Sequence, residues 1–403
     1  MLKKMIFILF PVLLLGICFF LYLQWDVKSG YEDYTKSHSL VESPVYQGEL
    51  SLYPEGSKLY PALFKDIKRA KKYIYIHFFI IREDPVSMKF LELLQKKAEN
   101  GAVVLLSVDR IGGKEITKKT IEKLEKSGVK FTFSRKAGIH HFFYTINHRN
   151  HRKFVVIDGL VSYLGGFNIG EEYLGQVDRF GYWRDYHLRI AGEGTREIEK
   201  QFLKDWEEDT GEKISVKRQS FAEKDGSHYQ MIFSTGEELE HMMLSTIKQA
   251  KKSLVIATPY FIPSNQLMNA LIAAKKQGVV IDIIVPDNTD AWFTKPPSYP
   301  KTEALLKNGV NIYLYTKGFF HGKVMIIDGR IANISTANWD PRSFYLNDEA
   351  SCLIFDAELI KTIQAEIDED KKNSRKLTKK IVDEIPQWER SFMKTPEWIY
   401  YYF

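Results

Sequence analysis

A chain of 403 residues with 44% apolar character can bury one large core or two fused ones. Its two cysteines, Cys18 and Cys352, lie in an apolar N-terminal run and a late strand-like run, which excludes a disulfide framework and a thiolate metal site and leaves the redox compartment open. A formal charge of +6 is mild for a nucleic-acid binder and suits work at an anionic lipid surface.

In chain order, the first predicted element is a membrane helix. Met5 to Leu23 is an uncharged, nearly all-apolar run between Lys4 and Trp25, about the length that crosses a bilayer. A cleaved signal peptide is the competing reading, but the run is long and Gly16-Ile17-Cys18-Phe19 is a poor cleavage site. Lys3 and Lys4 precede the run while Lys28 and Lys36 follow it among Asp26, Glu32 and Asp33, so its orientation stays open, with a lean toward a catalytic domain outside the cytoplasm. The expectation is a single-pass N-terminal anchor in the cell membrane.

Beyond the anchor the chain repeats itself. Asp66-Ile67-Lys68-Arg69-Ala70-Lys71-Lys72 followed by Tyr73-Ile74-Tyr75-Ile76 matches Thr246-Ile247-Lys248-Gln249-Ala250-Lys251-Lys252 followed by Ser253-Leu254-Val255-Ile256. Helix then strand is the natural reading. Gly101-Ala102-Val103-Val104 matches Gly278-Val279-Val280-Ile281, and Ser127-Gly128-Val129-Lys130 matches Asn308-Gly309-Val310-Asn311, each Gly ending a helical stretch before a strand. The register between copies drops by about eleven residues just before the next motif, which places an insertion around Gly138-Ile139-His140-His141-Phe142-Phe143-Tyr144.

That motif is His-x-Lys-x4-Asp, present at His151, Lys153 and Asp158 and again at His321, Lys323 and Asp328, each followed seventeen residues after its His by an Asn, Asn168 or Asn338. Two copies in register exceed chance. Each runs into an apolar stretch closed by Asp-Gly, Phe154-Val155-Val156-Ile157 and Val324-Met325-Ile326-Ile327, which read as buried strands. His and Lys, two apart, then share a face. Asp158 and Asp328, five past the Lys, fall on the other face or beyond the strand end, so within the candidate catalytic six these two are expected to hold the loop. Two His-Lys-Asn sets fit in-line displacement at phosphorus, where one His attacks and the other protonates the leaving oxygen. Lys153, Lys323, Asn168 and Asn338 would hold the non-bridging phosphate oxygens. The scheme calls for no metal and no cofactor.

These residues resemble the phospholipase D superfamily and, within it, the bacterial cardiolipin synthases, over most of residues 50–360. Further matches are Leu164-Gly165-Gly166-Phe167-Asn168, Tyr182-Trp183-Arg184-Asp185, Thr258-Pro259-Tyr260-Phe261-Ile262-Pro263 and Asp340-Pro341-Arg342-Ser343-Phe344-Tyr345-Leu346-Asn347-Asp348-Glu349. The resemblance implies an α/β fold of two pseudo-symmetric halves, mixed sheets flanked by helices, sharing one active site. It implies phosphatidyl transfer from one phosphatidylglycerol to another through a phosphohistidine, with His151 the nucleophile and His321 the acid, then base. It places the acidic residues that orient the two His at Asp185 and Glu349. The expected division is an anchor at 1–25, a linker at 26–50, halves at 51–215 and 216–375, and an aromatic tail at 376–403. One departure stands in the second copy, where Ser335 and Thr336 occupy positions at which the family usually shows a Gly-Ser pair, so the tightness of that half-site is in question.

The same site could pass the phosphatidyl group to water, as a hydrolytic phospholipase D, and the fold could serve a nuclease or a silent membrane scaffold. The anchor argues against a nuclease and the intact His, Lys and Asn against a scaffold. His140, His141, His148 and His151 invite a metal reading, but the second copy has no such cluster, so loop histidines are expected. Phe142-Phe143-Tyr144, Trp292-Phe293 with Tyr299, and Trp398-Ile399-Tyr400-Tyr401-Tyr402-Phe403 are candidates for the approach to lipid, with core packing the alternative. Expected partners are phosphatidylglycerol, other anionic lipids and the membrane, with no nucleic acid. The acceptor, the acyl chains and the oligomeric state stay open.

Overall fold

The computed structural model describes residues 2–215, 226–236, 238–290 and 294–392. Fourteen strands form two sevens about a pseudo-twofold axis. From the centre outward the first seven are Val41–Tyr53, His187–Gly192, Val161–Gly165, Phe154–Ile157, Tyr73–Phe78, Val103–Asp109 and Lys130–Ser134. The second seven are Ser227–Thr235, Asn347–Ile354, Ile331–Ser335, Val324–Ile327, Ser253–Ala257, Val280–Pro286 and Asn311–Tyr315, with Ser374–Lys376 added at the far edge. In each half the outer three strands are parallel and the rest antiparallel. The sheets expected for the halves are one continuous sheet, because Val41–Tyr53 pairs antiparallel with Ser227–Thr235 across the axis.

Both faces of this sheet are covered, and the strands show it residue by residue. Tyr73 and Tyr75 face a core that also holds Phe202, Trp206, Val255, Ala257 and Ile363, and therefore spans both halves. Ile74, Ile76 and Phe78 face a second core belonging to the first half, and Leu254 and Ile256 face its counterpart in the second. Period-two alternation with both sides apolar gives the near-continuous hydrophobic runs of the sequence. The shared core is roofed by the helices Thr195–Thr210 and Ala357–Lys372, whose buried residues include Phe202 and Trp206 in one and Ile360, Ile363 and Ile367 in the other. Gly101 and Gly278 take φ of 88° and 93° where helices give way to strands, a conformation that Gly adopts without penalty.

Two boundaries differ from the sequence reading. The apolar helix continues as Leu2–Thr35, and residues 41–53 are a central strand, so 26–50 is not a linker. The cause is packing. Val27 and Tyr144 share a small apolar cluster, Asp26 Oδ2 accepts from the backbone N–H of Phe143 at 2.8 Å, and His148 lies 4.3 Å from the Tyr34 ring, so the helix end is held by the folded domain. Phe10–Thr35 is long and apolar enough to cross a membrane. Past residue 376, Lys379–Asp383 and Gln387–Phe392 are short helices, while Trp398 to Phe403 and Trp292-Phe293 lie outside the described residues.

Candidate active site

The site is built where the chain crosses between halves. Arg149–Asn150 pairs in parallel with Asn347 and Asp348, so the next residue, His151, falls opposite Glu349, with its N–H donating to Asp348 O at 3.0 Å. The mirror-image event brings Gly318–Phe320 alongside Tyr182–Arg184, which sets His321 opposite Asp185, with its N–H on Arg184 O at 2.7 Å. Each imidazole is thus held by a carboxylate from the other half. His151 Nδ1 lies 3.0 Å from Glu349 Oε1, and His321 Nδ1 lies 2.6 Å from Asp185 Oδ2.

Electrostatics fix the tautomers. The His151 charge and its hydrogen bond hold Glu349, against the upward push of burial, at about 2; Lys323 and His321 likewise keep Asp185 below the usual carboxylate range. Both acids are then pure acceptors, so each Nδ1 carries the proton and each Nε2 lone pair is free. Burial pushes the His151 imidazole down to about 4, so it is neutral at neutral pH, and it pushes His321 down as well. His151, His321, Asn168 and Asn338 all line one pocket. Phe79 stands edge-on to His151 at 4.9 Å, and Trp183 and Phe319 flank His321 at 5.1 and 5.8 Å, so each imidazole is set against aromatic rings.

The lysines lie deeper. His151 to Lys153 precede the strand Phe154–Ile157 rather than belonging to it, and Lys153 Nζ donates to His151 O at 2.6 Å, as Lys323 Nζ does to His321 O at 2.5 Å. Neither amine has a carboxylate within salt-bridge distance among the described residues. Burial, with each raised partly by nearby Glu349 and Asp185, leaves Lys153 at about 7 and Lys323 at about 8. Asn168 Oδ1 accepts from Ile80 N at 3.0 Å and its amide donates to Tyr173 Oη at 3.1 Å; Asn338 Oδ1 has no hydrogen-bond partner among the described residues.

Asp158 and Asp328 drop out of the reacting set. Both have φ of 53° and open tight turns, Asp158 with Gly159 and Asp328 with Gly329, that end their strands. Asp158 accepts from the backbone N–H of Lys71, Lys72 and Tyr73 at 2.7, 2.7 and 2.9 Å, and Asp328 receives Lys251, Lys252 and Ser253 in the same way. Three orphaned amides make Asp158→Ala a stability mutation, costing about 2–4 kcal/mol. Thermal melts of the solubilised protein should record that loss while turnover per folded molecule stays within a few-fold of wild type.

The Ser335 question resolves in the sheet. Ser335 Oγ accepts from Ala337 N at 2.9 Å and bonds Ser351 Oγ at 2.8 Å, away from the imidazoles. Thr336, in register with Gly166, donates to Glu349 Oε2 at 2.5 Å, and Ser343 Oγ donates to Oε1 at 2.9 Å. A Cβ at Gly166 would collide with the Asp185 carboxylate. The sequence carried this pairing of a small residue with the nearer acid and a hydroxyl with the longer one, yet only the cross-half geometry gives it meaning. Tyr260, whose hydroxyl bonds both Asp290 oxygens at 2.7 and 2.8 Å, Asp340 and Arg342 also line the pocket and were read only as parts of matching segments. The clustered histidines part company: His148 turns to Asp348 at 3.2 Å, His141 to Asp33 at 3.1 Å and His151 to Glu349.

A duplicated motif on one sheet, delivering both imidazoles to one pocket, defines a phospholipase D-like protein. The family model for the cardiolipin synthase, phospholipase D-like domain matches residues 63–206 and again 243–371, and the chain belongs to that family. It is 35% identical to the minor cardiolipin synthase ClsB of Bacillus subtilis (strain 168), covering 96% of each chain, and 34% identical to cardiolipin synthase 2 of Staphylococcus epidermidis, covering 88% of this chain and 76% of that one. In fold it is similar to the phosphatidylserine synthase of Haemophilus influenzae Rd KW20, with a TM-score of 0.66 at 16% identity, covering 91% of this chain and 96% of that one.

Proposed function

We propose that this enzyme is a cardiolipin synthase of the cell membrane, anchored by its N-terminal helix, that moves a phosphatidyl group from one phosphatidylglycerol to the glycerol hydroxyl of another. The observation that carries this reading is the pair of imidazoles in one pocket, each held by a carboxylate of the opposite half. His321 takes up a proton at Nε2 when the anionic phosphodiester binds beside it; His151 Nε2 then attacks phosphorus and forms a P–N bond as the P–O bond to glycerol breaks, and the His321 imidazolium gives its Nε2 proton to the departing alkoxide. In the return step His321 takes the proton of the acceptor hydroxyl, the new P–O bond forms and the P–N bond breaks. Lys153 and Lys323, with Asn168 and Asn338, offset the charge on the non-bridging oxygens. The proposed halves, 51–215 and 216–375, then each supply one nucleophile or acid and one orienting carboxylate.

Mass spectrometry of lipids from phosphatidylglycerol vesicles incubated with the enzyme tests this. Cardiolipin with released glycerol, absent with His151→Ala, is the expected result; phosphatidic acid alone would make the enzyme a hydrolase. The reading also sets a pH profile. Since kcat/KM reports the free enzyme, it should begin to fall as pH rises through the His321 pKa, which burial holds below the ordinary imidazole value, fall more steeply through about 7–8, where Lys153 and Lys323 also lose their protons, and fall in acid near 4, where His151 gains one. Bound phosphodiester favours the ammonium forms, so the alkaline limb of kcat should lie at higher pH than that of kcat/KM.

A further inference from the structure

The insertion before His151 touches the anchor helix at one end and the pocket at the other. Phe143 packs edge-to-face on Phe19 at 5.7 Å and on Tyr22 at 6.1 Å. Asp26 Oδ2 caps the short helix Phe142–Asn147, accepting from Phe143 N at 2.8 Å and Tyr144 N at 3.2 Å, and Gly30 leaves the room that Tyr144 occupies. At the far end of the same short helix, Ile146 and Asn147 line the active-site pocket, and Arg342 donates to Asn147 O at 2.9 Å.

Depth follows from the helix itself. Phe19 lies four residues before the apolar run ends at Leu23, which at 1.5 Å per residue is about 6 Å inside it. Whatever packs on Phe19 sits at the boundary of headgroups and acyl chains once the helix crosses a bilayer. The outer surface of the insertion suits that depth. Ile139 is 96% exposed and Phe142 44%, and Tyr22 and Trp25, whose rings meet Phe143 and His141 of the same segment, are also exposed and are of the types that favour the membrane boundary. An isolated isoleucine that is nearly fully exposed is unremarkable on its own. Here it is carried by a segment docked along a transmembrane-length helix from Phe19 and Tyr22, inside the apolar run, to Asp33 beyond its end. The second half has no corresponding segment, so the pocket acquires one membrane-facing edge.

We propose that residues 138–147 form a lip embedded in the bilayer surface, with Ile139 and Phe142 among the lipids and Ile146 at the sill, over which a substrate glycerophospholipid passes from the membrane into the pocket. The inference rests on the anchor crossing the bilayer and on the lipid substrate proposed above.

The test uses full-length protein in proteoliposomes of phosphatidylglycerol and phosphatidylcholine. An environment-sensitive fluorophore is placed on Ile139→Cys in a Cys18→Ala background, and on native Cys18 in the wild-type chain as the depth control; the other cysteine, Cys352, is buried. Quenching of the Ile139→Cys label by acyl-chain spin-labelled lipids, and not by aqueous iodide, is the expected result. Iodide quenching at Ile139→Cys with lipid quenching at Cys18 overturns the lip alone, and iodide quenching at both overturns the anchor and the lip together. These depths are read whether or not the enzyme makes cardiolipin. A second arm compares Ile139→Asp/Phe142→Asp with wild type: turnover of vesicle phosphatidylglycerol should fall by about tenfold or more, since carboxylates resist that depth, while turnover of a short-chain phosphatidylglycerol dissolved as monomers is unchanged. Equal loss on both substrates, or loss on neither, would overturn the lip.

Discussion

Replacing His151 or His321 with Ala should each remove all measurable turnover, about 10⁵-fold or more, because residues acting as one unit fail together. The two variants separate when chemistry is split into its steps. A phosphatidyl ester of p-nitrophenol needs no proton on its leaving group, so His321→Ala, which retains the nucleophile and its Glu349 support, should release one equivalent of p-nitrophenol and stall. The return step needs a base for the acceptor hydroxyl, and that base is gone. Acid-sensitive, base-stable label on His151 is the expected trap. His151→Ala should give no burst, since Asp185 and His321 remain as an acid without a nucleophile. A burst from His151→Ala, with label on His321, would reverse the roles. The near-symmetry of the two half-sites makes this a real test: each imidazole has the same carboxylate support, the same buried lysine bonded to its own carbonyl, and the same access to the pocket.

The duplication was legible because it repeats local physics. Asp66 to Ile76 and Thr246 to Ile256 are helix ends followed by strands in both the sequence and the structure, and the Asp of each motif sits where an odd spacing put it, off the strand and in the turn. What periodicity could not give is contact between the halves. That Glu349 serves His151, and Asp185 serves His321, depends on two short parallel pairings, of Arg149–Asn150 and Gly318–Phe320, that have no pattern of their own at two and three residues. Residues 26–50 look like a linker in sequence, and are a helix end and a strand in the structure, for a related reason. Val41–Tyr53 is exposed at several positions and carries Pro44, and it is a strand because both neighbours in the sheet hold it, one from each half. The insertion was visible as a gap in the repeat, but its partner, the end of the anchor helix, lies more than a hundred residues away in sequence.

Glu349→Gln should lower kcat by about 10³–10⁴-fold, the loss seen when the carboxylate behind a catalytic imidazole becomes an amide. The geometry says why. Ser343 Oγ and Asn347 Nδ2 donate to Oε1, at 2.9 and 3.3 Å, so in the variant the amide oxygen stays there and the amide nitrogen takes the Oε2 position. Thr336 tolerates the exchange, because its hydroxyl can turn its proton to Ala350 O at 3.3 Å and accept from the amide. His151 Nδ1 faces both positions, 3.0 Å from Oε1 and 3.1 Å from Oε2, so the amide N–H now competes with the retained oxygen for it; without the carboxylate charge that kept the proton on Nδ1, the tautomer with the proton on Nε2, the atom that has to attack phosphorus, gains population. The variant should therefore keep its thermal stability while losing its nucleophile. A second effect goes the same way: Glu349 raises Lys153, so without that charge the lysine falls below its value of about 7 and the alkaline limb of kcat/KM should move to lower pH. Asp185→Asn makes the parallel case on His321. Tyr186 N donates to Oδ1 at 2.7 Å, which fixes the amide oxygen and turns the nitrogen to His321 Nδ1, leaving an Nε2–H that can still give a proton but cannot take one. With the p-nitrophenyl ester, Asp185→Asn should accordingly show a burst and a slow return step, and Glu349→Gln no burst. A loss under tenfold in Glu349→Gln, or a burst of wild-type amplitude, would remove the carboxylate from its place behind the nucleophile.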